Sequence, residues 1–197
     1  MSEQSRLVES VKGTVVQAIH GVGEVFDAVT DTVSGSLVHA IKGVGAVGTA
    51  LTGTVSDVTR GAIQGTSQVG GDLGSASKGA VVGVLRGTRE VGVEAMTAVS
   101  ASASTAVKST AEVGGNVASV AKSAVEGAIQ GAKELGVDAS KAASAAATGA
   151  LKGAGEISGT AVEQVRNAVT GLISGVKVVL SEPFRSESEL SRSESRK

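Results

Sequence analysis

The residues able to do acid–base or ligand chemistry are few and widely spaced. His20 and His39 are the only histidines, Cys is absent, and the recurring carboxylates Glu24, Glu90, Glu112, Glu134 and Glu156 stand 22 or more residues apart. Without Cys there are no thiolate nucleophiles, disulfides or zinc–sulfur sites. On a helix 22 residues span ~33 Å, so no two of these carboxylates could share a substrate. The histidines have neither metal-ligand spacing nor a nucleophile with a carboxylate, and read as solvated side chains. Gly43, Gly45 and Gly48 spell G-x-G-x-x-G, but that fingerprint grips a dinucleotide only between a strand and a helix, and here a repeat generates it. No catalytic residue, metal ligand or cofactor-binding residue is expected.

Composition also points away from a conventional enzyme. Large side chains dominate most protein interiors, yet the 197 residues hold 2 Phe, no Trp, no Tyr and 28 Gly, and the 41% that are hydrophobic are mostly Ala and Val. Such a chain offers little bulk to interlock at native density. With 18 basic and 19 acidic residues the net charge is −1, without the cationic excess that phosphate neutralisation needs, so no nucleic-acid partner is expected. A mean hydropathy of +0.21 suits disorder poorly.

The element that must position these side chains is a repeat. From Val11 to Gly175 the chain runs without insertion in 11-residue blocks such as VKGTVVQAIHG and AKSAVEGAIQG. Aliphatic residues concentrate at places 1, 4, 5, 8 and 9 of each block, the spacing of a hendecad helix. All 26 charged residues between Val11 and Leu180 fall at places 2, 3, 6, 7 and 10. At ~100° per residue the apolar places form one arc of about 160°. The period of 11/3 residues per turn predicts a straight or weakly right-handed supercoil, and the one proline, Pro183, lies beyond the array. The expected fold is all-α: one long amphipathic hendecad helix per chain, assembling as a straight or weakly right-handed coiled-coil bundle or an α-helical barrel. Residues 1–10 read as a lead-in, 11–180 as the helix, and 181–197 as a disordered Ser-, Glu- and Arg-rich tail. There is no apolar h-region of a secretory signal and no uncharged apolar window of ~18 residues, so a cytoplasmic or peripheral membrane location is expected.

Odd and even blocks differ, which makes the full unit 22 residues. Odd blocks carry the pairs Gly61/Gly65, Gly83/Gly87, Gly127/Gly131, Gly149/Gly153 and Gly171/Gly175, each a GxxxG on one flank of the arc and an expected helix-packing edge. Places 1 and 8 at its centre, among them Val11, Val22, Val33, Val44, Val55, Val99, Ala106, Val165 and Leu172, carry no charge in any block and are expected to face an apolar, lipid-contacting interior. Arg86/Glu90, Lys108/Glu112 and Lys152/Glu156 are spaced as i,i+4 ion pairs on the opposite face. Each glycine costs a helix ~1 kcal/mol relative to Ala, so the helix needs its arc covered, by other copies of the chain or by lipid. A chain folded back at Gly70-Gly71 or Gly114-Gly115 is a third arrangement, disfavoured because the 11-residue phase runs through both.

Blocks such as AVEGAIQGAKELGV, Ala124 to Val137, resemble the lipid-binding repeats of synucleins and perilipins, and the unbroken array over 11–175 is similar to bacterial hendecad coiled-coil proteins. The first resemblance implies amphipathic lipid association, the second homo-oligomeric rods. Synuclein-like repeats are Lys-rich, whereas this array has 13 basic and 13 acidic residues, so apolar contact rather than surface charge would have to drive lipid binding. The expected function is that of a non-enzymatic homo-oligomer whose apolar inner face contacts lipid or acyl chains. The alternatives are a peripheral amphipathic coat of a lipid droplet, polyester granule or membrane surface, and a purely structural rod. Expected partners are further copies of the chain and a lipid or membrane surface; no cofactor is expected apart from bound lipid.

Overall fold

The structure, a computed structural model, describes residues 3–22, 24–44 and 49–180. The helix is not continuous. Eight helices occupy the described residues: α1 Glu3–Val22, α2 Val25–Val44, α3 Thr49–Gln68, α4 Leu73–Val91, α5 Ala95–Glu112, α6 Val117–Leu135, α7 Ala139–Gly155 and α8 Gly159–Val169. A hairpin of β1 Gly171–Ile173 and β2 Val176–Val178 follows.

The breaks have a local cause that recurs every 22 residues. Gly70, Gly92, Gly114 and Gly136 adopt φ of 67°, 70°, 74° and 69°, the left-handed conformation that glycine enters without a Cβ penalty. The next N–H closes back on a carbonyl five residues earlier, Gly71 on Thr66 at 2.9 Å, Val93 on Thr88 at 3.0 Å, Gly115 on Thr110 at 2.8 Å and Val137 on Ala132 at 2.9 Å. Two residues after each glycine, Asp72, Glu94, Asn116 and Asp138 take extended backbone and accept N–H bonds from the first turn of the following helix. Helix plus turn together consume two hendecads, so the 11-residue phase survives a reversal of the chain.

Each helix packs on its predecessor and, more extensively, on the helix two before it. Thus α1, α3, α5 and α7 form one row, and α2, α4, α6 and α8 a second, with diagonal contacts between rows. Within a row the glycine edge of one helix meets the backbone of the other. A Cβ on Gly61 would lie 2.7 Å from the Val8 carbonyl oxygen, on Gly65 2.8 Å from that of Lys12, on Gly83 2.6 Å from that of Thr30, and on Gly127 2.6 Å from that of Lys78. Gly87 meets Leu37, Gly131 meets Leu85, and Gly149 and Gly153 face the carbonyls of Ser100 and Ser104. Close approach lets small residues fill the interior. Leu37, Ile63, Leu85 and Ile129 are its largest fully buried side chains, with Val and Ala supplying the rest. Small hydroxyls bridge helices inside it, Thr59 to Ser102 at 3.0 Å and Ser77 to the Val120 carbonyl at 3.2 Å.

Several expectations are corrected by this arrangement. The single long helix in a coiled-coil bundle or barrel is replaced by short helices packed within one chain, and with it go the resemblances to hendecad rods and to synuclein or perilipin repeats. The apolar arc is not an open lipid-facing surface: Val11, Val33, Val55, Val99, Ala106 and Val165 are at most 1% exposed in the chain's own core. Val22 and Val44 end α1 and α2, and their side chains fall outside the described residues. Leu172 stands on the outer face of the hairpin, 76% exposed. Gly171 and Gly175 belong to that hairpin rather than to a helix edge, with φ of 104° and 81°. The coat and rod readings, which both need the extended helix, fall for the same reason. No helix among the described residues is long and apolar enough to cross a membrane. The charged pairs also differ. Lys42 binds Glu90 at 3.0 Å, Arg86 binds Glu134 at 2.9 Å and Lys108 binds Glu156 at 3.0 Å, each joining helices two apart instead of one turn of the same helix.

The ends of the double row are finished differently. At the C-terminal end the hairpin lies against α7 and buries Ile173 and Val178. At the N-terminal end, Gln17 and His39 occupy in α1 and α2 the block place held by Gly61 in α3 and Gly83 in α4, and both are exposed.

Two predictions follow from this packing. Gly127→Val would improve helix propensity yet drive a branched side chain into the Lys78 backbone, so it should destabilise by about 1–3 kcal/mol. Gly13→Ala, whose Cβ would meet nothing within 4 Å, should stabilise by up to ~1 kcal/mol; urea unfolding followed by circular dichroism checks both. Asp72 is held below the ordinary carboxylate range by hydrogen bonds from the Ser75 hydroxyl and backbone N–H. A depressed folded pKa adds stability that is present above the unfolded value and is lost as the pH falls through the folded one, so Asp72→Asn should flatten the acid limb of the stability profile.

Candidate functional site

The packing rule fails at one helix. The block places that hold Gly79, Gly83 and Gly87 in α4 hold Ala101, Thr105 and Ser109 in α5. A threonine cannot bring helix backbones together as glycine does, so α3 and α5 make fewer contacts than their counterparts in the same row, α1 with α3 and α5 with α7. The side of α5 that faces α7 is equally small, with Ser100 and Ser104 beside the glycine edge of α7. No long side chain fills the space above it.

The result is a groove of about 500 Å³ along α5, flanked by α3 and α7. Its lining comprises Thr52 and Ser56 of α3, then Met96, Thr97, Ser100, Ala101, Ser104, Thr105 and Lys108 of α5, with Lys152 of α7 and Glu156 at its C-cap. From Met96 to Lys108 the floor extends roughly 18 Å at helical rise. Six of these residues carry hydroxyls; that of Thr97 bonds the Glu94 carboxylate, while those of Thr52, Ser56, Ser100, Ser104 and Thr105 have no partner within the described residues, although hydroxyls elsewhere do bond to carbonyls: Thr14 to Ser10 and Thr88 to Val84. Ser104 and Thr105 are only 8% and 3% exposed, and both line this groove. Lys108 is tied to Glu156 at 3.0 Å, while Lys152 has no ion-pair partner among the described residues.

A smaller polar depression of about 340 Å³ lies between α1 and α3, lined by Gln4, Ser5, Val8, Glu9, Asp57, Arg60 and Gln64. Burial pushes the Asp57 carboxyl up, against the opposing pull of Arg60. This is a tension in a seam rather than a binding arrangement.

Of the glycines expected to form a packing edge, Gly61, Gly65, Gly83, Gly87, Gly127, Gly131, Gly149 and Gly153 lie against the helix two before them, inside one chain, whereas Gly171 and Gly175 lie in the hairpin. Those expected to face lipid lie in the core, apart from Leu172, and Val22 and Val44, whose side chains are not described. His20 and His39 are exposed, and no group of three metal-ligating side chains occurs among the described residues. Of the G-x-G-x-x-G match, Gly45 and Gly48 lie outside the described residues, and Gly43 is within α2. Of the groove residues, sequence reasoning named only Lys108, Lys152 and Glu156, as members of i,i+4 ion pairs, and none of the hydroxyl-bearing ones. Their signal was the missing GxxxG in the block from Val99 to Ser109, the one odd block from Val55 onward without it. Neither protein-family models nor curated proteins match the chain.

Because the folded-state pKa of Asp57 is raised, its ionised form is disfavoured in the fold. The seam is therefore strongest at low pH and loses this contribution as the pH rises through the folded value. Asp57→Asn should raise the melting temperature near neutral pH, and the gain should vanish in acid, where both side chains are uncharged. A scanning calorimetry series over pH tests this; a gain of equal size at every pH would contradict it.

Proposed function

We propose that the chain is a non-enzymatic helical-repeat binding module that holds a small polar molecule in the groove along α5. The observation that carries this reading is the pair Ser104 and Thr105, more than nine-tenths buried, unpartnered and lining the groove. Neither hydroxyl is among the fully enclosed unpaired atoms, so both are open to the groove, and a ligand that supplies donors and acceptors can take over the hydrogen bonds that water makes there. The location adds support. Sequences break their own local rules mainly where function requires it, and α5 is the interior helix that abandons the glycine edge.

A thermal-shift screen of polyols, sugar phosphates and hydroxy acids tests the reading. A ligand at a hundredfold its Kd stabilises by ~2.7 kcal/mol, a rise of several degrees for a domain of this size. At least one class should produce it, and Ser56→Phe, which fills the groove from the α3 wall, should abolish the rise without loss of helicity. If no class raises the melting temperature, or if the rise survives Ser56→Phe, the binding reading is wrong.

A further inference from the structure

We infer that the ligand of the α5 groove is a polyhydroxy compound bearing one oxyanion, held by Lys152. The inference rests on the binding reading above and adds the charge and shape of the ligand. Lys108 and Lys152 occupy the same block place in α5 and α7, 44 residues apart, so the two ammonium groups rise on neighbouring helices at one end of the groove. Glu156 neutralises Lys108 at 3.0 Å. Lys152 is left as the uncompensated charge of the lining, next to a floor of donors.

An oxyanion there would accept from the ammonium and from nearby hydroxyls, and bonds to charged groups are roughly twice as strong as neutral ones. The hydroxyls of Ser100, Ser104 and Thr105 continue along α5 away from that end, each able to donate and accept. They match the hydroxyls of a polyol. No aromatic ring lines the groove, which removes the stacking platform that a nucleobase would use. Phosphate monoesters and carboxylates share the required chemistry.

The test uses the full chain, isotope-labelled, with glucose 6-phosphate, gluconate, glucose and inorganic phosphate as probes, read by amide chemical shifts and by calorimetric titration. Glucose 6-phosphate, gluconate or both should move resonances of residues 97–108 and bind at least about tenfold more tightly than glucose. Their relative affinity separates a phosphate from a carboxylate requirement. Lys152→Gln, an exposed change that should leave the helical spectrum intact, should bring the anionic probe to the affinity of glucose. Glucose binding as tightly as either anion, with no effect of Lys152→Gln, overturns the oxyanion while leaving the groove as a binding site. Inorganic phosphate binding as tightly as glucose 6-phosphate overturns the polyhydroxy part. Shifts confined to surfaces away from α5, or no binding by any probe, overturn this inference, and a negative thermal screen alongside them removes the binding reading too.

Discussion

Close approach of helix backbones is the interaction on which the rest of this structure depends. An interior of Val and Ala cannot fill the gap between helices held apart by ordinary side chains, and the chain has no aromatic reserve to do so. Glycine at two places per odd block removes the obstruction, so that carbonyls of one helix sit where a Cβ of the next would be. The same residue that weakens each helix in isolation is what lets the helices hold one another. Glycine therefore appears twice in different roles: at the packing edge with ordinary helical φ, and at the turns with φ near 70°, where it lets the chain reverse.

From that constraint the groove follows. A helix that lacks the glycine edge and also carries short side chains on its exposed side can neither come close to its neighbour nor fill the space left over. In α5 two of the three replacements, Thr105 and Ser109, bear hydroxyls, so the vacant volume is largely polar, and the nearest charges include the place-10 lysines of two helices in one row. The ion-pair ladder between helices two apart leaves one of those lysines without a carboxylate. Geometry, polarity and charge thus arise from a handful of substitutions within an otherwise regular repeat.

Much of the local structure was legible in the sequence. The hendecad spacing pointed to helical conformation and assigned Val11, Val33, Val55, Val99, Ala106 and Val165 to an apolar arc, and those side chains are buried, the first three with Ala106 in one core cluster and Val99 with Val165 in another. What the periodicity concealed was the reversal of the chain. An insertion or a proline usually marks a turn, but here helix and turn add up to two blocks, and the phase passes through undisturbed. The marker was chemical: a glycine followed two residues later by Asp, Glu or Asn, at 70/72, 92/94, 114/116 and 136/138, the pairing of a left-handed C-cap with an N-cap. With the fold-back at Gly70-Gly71 or Gly114-Gly115 disfavoured on phase alone, the arc is left without cover, and cover is then sought in lipid or in other copies. The i,i+4 charge pairs failed for a related reason, since packing of like helices brings residues 48 apart closer together than a turn of one helix does.

The most direct test of this fold is a distance across two helices of one row. The chain has no native Cys, so Lys42→Cys with Glu90→Cys allows two spin labels at positions whose native side chains meet at 3.0 Å. Labelled protein diluted in an excess of unlabelled chain restricts the measurement to pairs within one molecule. The packed double row predicts a narrow distribution at a short distance, set by the labels' own length. A continuous helix would place the same 48-residue separation at about 72 Å, and a distance near that value would contradict the account.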